Sequence, residues 1–109
     1  MIVKHSLTLF DGEKKVAGFI KSLEMPCLPP IDSKVFFGSG VGCGIGHTVE
    51  SITFSEKEAS YSIHYKLDVK VAQREFVDYV DVLFCINLLY KRQGFTVLWA
   101  EDEYGHLFQ

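Results

Sequence analysis

A chain of 109 residues, 48% hydrophobic and 14% aromatic, has the material for one packed domain and is too short for two, which excludes intrinsic disorder. Its net charge of -3, from 14 acidic residues against 11 Lys and Arg, comes without any long basic run, so nucleic acid is not an expected partner. Three cysteines, Cys27, Cys43 and Cys85, are an odd number without a spacing motif, which argues against a disulfide framework and favours a reducing, cytoplasmic setting.

Met1 to Ser6 lacks the basic-then-apolar layout of a secretion signal. Val3, Leu7 and Leu9 alternate with Lys4, Ser6 and Thr8, the period of a first strand, and Asp11-Gly12 marks a turn. Residues 15 to 24 fit two periods. Val16, Phe19, Ile20 and Leu23 have helical spacing, whereas Ala17, Phe19, Leu23 and Met25 fit a strand interrupted by Lys21. The preceding Asp-Gly turn and Gly18 favour a strand pairing back on the first.

Met25-Pro26-Cys27-Leu28-Pro29-Pro30 breaks regular structure, because proline lacks the amide donor and drives its predecessor extended. A short strand is expected at Val35 to Phe37 and another at Thr48 to Phe54, with Ser55 to Glu58 as a polar turn. Ala59 to Lys70 alternates apolar and polar without exception and predicts a half-buried strand. From Val71 the period changes. Phe76, Val80, Leu83 and Asn87 lie three or four apart, opposite a polar side carrying Arg74, Asp78 and Asp81. Lys91, Arg92 and Gly94 supply a cationic end and a left-handed cap, so one long helix is expected over about 72–93. Val82 to Tyr90 is apolar almost all round, which predicts burial on more than one side, by a curled sheet or by a second subunit. At nine residues it is far short of the ~20 that span a membrane, so no membrane association is expected. Phe95 to Ala100 reads as a strand, and Asp102 to Gly105 as a turn into a last short strand at Leu107 and Phe108. Together these elements predict a single α+β domain over residues 1–109. A curved antiparallel sheet of five to seven strands packs on one long helix, with a C-terminal hairpin.

The glycines at 38, 40, 42, 44 and 46 fit neither a dinucleotide fingerprint nor a Walker loop, and they precede a strand rather than a helix. They read as a hairpin loop, or as a strand bare on one face that lets a helix, an aromatic ring or a ligand approach. Cys43 and His47 could form a nucleophile–base pair or half a zinc site. No further ligand stands at matching spacing, so no metal, cofactor or catalytic set is expected.

Glu101-Asp102-Glu103 is the tightest acidic run, and it adjoins Tyr104 and the aromatics Trp99 and Phe108. In size, acidity and lack of catalytic motif the chain resembles immunity proteins, a class that acts by binding. That likeness implies a non-enzymatic, antitoxin-like domain that neutralises a basic partner such as a nuclease toxin. The expected contact residues are Glu101, Asp102, Glu103 and Tyr104, with Asp78 and Asp81 on the helix. Two alternatives stay open: a small-molecule-binding or enzymatic domain using residues 38–46, and a structural homo-oligomer joined through the helix. The chain is accordingly expected as monomer or homodimer.

Overall fold

The structure, a computed structural model, describes residues 1–38, 45–75 and 80–108. Strands β1 (Ile2–Asp11) and β2 (Lys14–Glu24) form a long antiparallel hairpin whose turn places Gly12 at φ 68°. The ambiguous segment is thus a strand. Its register sets Phe19 opposite Leu7 and Ala17 opposite Leu9, all four fully buried on one face.

After the irregular crossing at 25–33, β3 (Lys34–Val35) and β4 (His47–Thr48) make a small two-stranded flap. Strands β5 (Ser51–Ser55) and β6 (Ser60–Asp68) follow as a hairpin, and β7 (Thr96–Ala100) comes late in the chain. The main sheet has the order β5-β6-β1-β2-β7. It is mixed rather than antiparallel, because β6 lies parallel to β1, with Val3 opposite Tyr61 and Leu9 opposite Leu67. The cause is the long connection from β2 to β5. It returns along the sheet before the β5–β6 hairpin docks on the free side of β1, and a connection of that length permits a parallel pairing.

Alternation in β6 holds as expected, with Ile63, Tyr65 and Leu67 buried. The strand stops at Asp68, two residues short of the expected end. The Asp68 Oδ1 accepts from Lys70 N at 2.9 Å and from Gly12 N at 3.0 Å, which turns the chain into helix α1 (Val69–Glu75).

The single long helix over 72–93 is not formed. Helix α2 (Val82–Asn87) starts afresh at Asp81, whose backbone is extended (φ -126°, ψ -177°) and whose carboxylate accepts from Phe84 N at 2.7 Å. An extended N-cap cannot lie inside a continuous helix, so Asp81 starts a separate one. Leu88–Arg92 continues α2 as a wide π turn, and Gly94 at φ 76° ends it as a left-handed cap, as expected. Within the described residues α2 is buried on one side, and cover by a second subunit is the branch of the expectation that a single chain does not address. Cys85, Ile86, Leu88 and Leu89 face the core, while Leu83, Phe84 and Tyr90 stay exposed. The sheet does not curl around the helix, so among the described residues nothing covers the opposite side.

The final hairpin is replaced by a 3₁₀ helix (Asp102–Phe108), opened by Tyr104 N donating to Glu101 O at 2.9 Å. Tyr104, Leu107 and Phe108 pack from it against the core, with Phe108 5.9 Å from the Phe19 ring. Among the described residues no helix is long and apolar enough to cross a membrane.

Candidate interaction surface

Beneath the flap the inner face of the sheet holds polar groups where a plain apolar core would be expected. His5 is fully buried, its Nδ1 2.8 Å from the Tyr65 hydroxyl and its Nε2 3.2 Å from Met25 Sδ. His47, on β4, lies 2.7 Å through Nε2 from Gln93 Oε1, and Gln93 Nε2 donates to Ile45 O at 3.1 Å. Phe37 fills the space between, with ring contacts to His5, His47, Tyr65 and Phe95. Lys21 sits over the Phe37 ring and donates to Gln93 O at 2.7 Å.

Burial, with Lys21 adding repulsion, brings the His5 pKa down to about 4. Burial also lowers His47, partly offset by the Gln93 hydrogen bond. Both imidazoles are therefore neutral at neutral pH, and burial pushes the Tyr65 hydroxyl above its ordinary range. Cys85 is pushed up to about 12 by burial and by the charges of Asp81, Asp11 and Asp68, so it stays a thiol. His5 with Tyr65 and His47 with Gln93 are buried pairs, and the second ties the flap to the end of α2. His47 is committed to Gln93. Its suggested partner Cys43 and the glycines at 40, 42 and 44 lie outside the described residues. At the end of that segment the tip of the Phe36 ring approaches Gly46, with Cζ 2.6 Å from where a Cβ would stand. No group of three or more His, Cys, Asp or Glu side chains that could hold a metal is assembled among the described residues.

The residues expected to make contact have different surroundings. Glu101 and Asp102 are exposed at the start of the 3₁₀ helix. Glu103 instead pairs with Lys14 Nζ at 2.5 Å, and the same ammonium lies 5.6 Å from the Tyr104 ring. Tyr104 is half-buried against the core. Asp81 is exposed, and its carboxylate caps α2. Asp78 lies outside the described residues.

The apolar stretch over Val82 to Tyr90, expected to need cover on more than one side, leaves an exposed apolar face. On α2 and its π turn, Leu83 is 47% exposed, Phe84 40% and Tyr90 53%. With Asn87 and Lys91 they share the arc of the helix opposite its buried side, as their spacing of three, four and seven requires. A cleft of about 210 Å³ opens beside them between Phe84, Asn87, Leu88 and Arg92. An apolar stretch of this kind needs cover on two sides, and the described residues supply one.

No family of known proteins, no curated protein and no solved structure matches this chain.

Proposed function

We propose that the chain is a non-enzymatic protein-binding domain, and that its partner docks on the exposed face of α2. The observation that carries this reading is the exposure of three large apolar side chains, Leu83, Phe84 and Tyr90, on about two helical turns. Aromatic and aliphatic groups grouped in this way are the anchors of helix-mediated interfaces, and the cleft between Phe84 and Arg92 has room for a partner's side chain. The net charge of -3 and the exposed carboxylates of Glu101 and Asp102 favour a basic partner, such as a nuclease toxin bound in the manner of immunity proteins.

The test is affinity capture from the source cell with the full chain and two variants, F84D and E101K/D102K. A partner retained by the wild type and lost with F84D, at unchanged folding, supports the helix face. Faster loss of that partner as salt rises, weakened in E101K/D102K, supports a basic partner. Equal capture by wild type and F84D removes α2 from the interface. Turnover of a small molecule by the purified chain would overturn the reading altogether.

A further inference from the structure

We infer that the outer edge of β5 is a self-pairing surface, on which a second copy of this chain adds its own β5 antiparallel about a two-fold axis through Thr53. The main sheet has two edges, and they differ. At the β7 edge the register slips: Gly18 faces Trp99 while Phe19 faces Val97, so Leu98 is a bulged residue without a partner on β2. A bulge of this kind is one of the devices that blunt an edge against pairing. Among the described residues the β5 edge carries no bulge, proline or charge within the strand. Ser51-Ile52-Thr53-Phe54-Ser55 pairs with Ser60–His64 without a slip and contains no charge, no proline and no glycine. A regular, uncharged, β-prone edge is an open template for another strand.

The sequence of β5 points to a second copy rather than to an unlike strand. It is a palindrome in chemical type: hydroxyl, apolar, hydroxyl, apolar, hydroxyl. Antiparallel pairing centred on Thr53 sets Ser51 against Ser55 of the other copy and Thr53 against Thr53. Ile52 meets Phe54 twice, so every position meets its own kind. Aromatic against β-branched and Thr against Thr are favourable cross-strand pairs. The pairing also covers apolar surface that the monomer leaves open. Phe54 is 57% exposed and touches only the near side with a ring, Tyr61 at 4.9 Å. It lies on the inner face with Ile52, so the core would continue from one copy into the next.

In this register Glu50 approaches Glu56 of the other copy. Glu50 is partly neutralised on its own chain by Lys66, with 3.7 Å between Nζ and Oε2. The residual repulsion between two acidic copies makes a distinctive expectation: the dimer tightens as salt rises. A complex with a basic partner, as proposed above, weakens instead.

The experiment is sedimentation equilibrium of the full chain up to about 1 mM, at low and high salt, with T53K and F84K beside the wild type. Circular dichroism confirms that each variant is folded. Thr53 is exposed, so T53K is tolerated by the monomer, yet it sets two ammonium groups face to face in the dimer. The expected result is a closed dimer that tightens with salt. T53K weakens it roughly tenfold or more, and F84K leaves it unchanged. A wild-type chain that is monomeric throughout overturns the inference. So does a dimer indifferent to T53K, a dimer abolished by F84K, or an open-ended polymer.

Discussion

His47 and Gln93, 46 residues apart in sequence, meet in the core at 2.7 Å, both at no more than 2% exposure. The pair closes the flap over the sheet, because Gln93 also donates to the Ile45 carbonyl and its own carbonyl accepts from Lys21. A side chain just beyond the end of α2 thereby fixes the exit of the glycine segment.

Replacing Gln93 by Leu keeps its bulk and removes its side-chain hydrogen bonds to His47 and to the Ile45 carbonyl. His47 Nε2 is left without this partner in a buried site, where such a group costs about 1–3 kcal/mol, and the half-buried Ile45 carbonyl loses a donor as well. Urea denaturation of Q93L should show a loss of about 2 kcal/mol or more. In the double variant H47F/Q93L part of that loss should return, since an apolar ring no longer needs the partner. Wild-type stability in Q93L would mean that the pair contributes nothing.

Little of this centre was legible in the sequence. Alternation in β1 and β6 located the buried face correctly, because Val3, Leu7, Leu9, Ile63, Tyr65 and Leu67 follow a period of two whatever they touch. The same period put His5 on that face, but a histidine in an apolar register gives no sign of its partner, and Tyr65 comes from 60 residues away. The helix failed for a local reason. Apolar spacing runs on through Asp81, while the backbone there is extended and its carboxylate starts a new helix. An aspartate three residues ahead of Phe84 was the available signal, read instead as a wet helix face. At the C-terminus Tyr104, Leu107 and Phe108 stand at i, i+3 and i+4, a helical spacing hidden by the turn-like Asp102 to Gly105. The parallel pairing of β1 with β6 was out of reach, since it depends on where a long irregular connection returns and not on any residue's preference.

Stability should fall as the solution is acidified, and His5 should account for much of the slope. In the folded chain its pKa is about 4, against 6.5 unfolded. Below pH 6.5 the unfolded chain therefore takes up a proton that the folded chain refuses, which favours unfolding. The contribution is complete above that pH, is lost as pH falls from about 6.5 to about 4, and then levels off. Its full size is about 3 kcal/mol at most, and the lowered His47 adds in the same direction. Denaturation midpoints across this range for wild type and H5F should converge toward acid pH, as the variant lacks the titrating group. Parallel curves for the two proteins would exclude His5 as the source.

Gly18 should not tolerate a methyl group. A Cβ placed there would lie 2.6 Å from Cε2 of Trp99, whose indole crosses the strand at that point. G18A must push the ring off the sheet or part β2 from β7, and overpacking of this kind costs about 1–3 kcal/mol. Trp99 is the single tryptophan, so its fluorescence reports the displacement directly. An unchanged emission spectrum together with unchanged stability would show that the close contact is not maintained in solution.

Two positions with positive φ should respond to substitution with opposite signs. Ala59, in the β5–β6 turn, sits at φ 51°, a region where a Cβ costs about 1–2 kcal/mol. A59G removes that strain and gives back part of the gain through the greater freedom of the unfolded chain, about 0.4–1 kcal/mol. The net expectation is stabilisation by up to about 1 kcal/mol. Gly94, at φ 76°, meets the same rule from the other side. In G94A the added Cβ enters the strained region and also stands 3.0 Å from Lys21 Nζ, the ammonium that donates to the Gln93 carbonyl. Loss of about 1 kcal/mol or more is expected there, with disturbance of the flap as well as of the helix end. Amide exchange distinguishes these effects. G94A should speed exchange near His47 and Thr48, far away in sequence, whereas A59G should slow it only in the β5–β6 hairpin. A shift of the same sign for both variants would contradict the turn geometry assigned to one of them, and the exchange pattern would identify which.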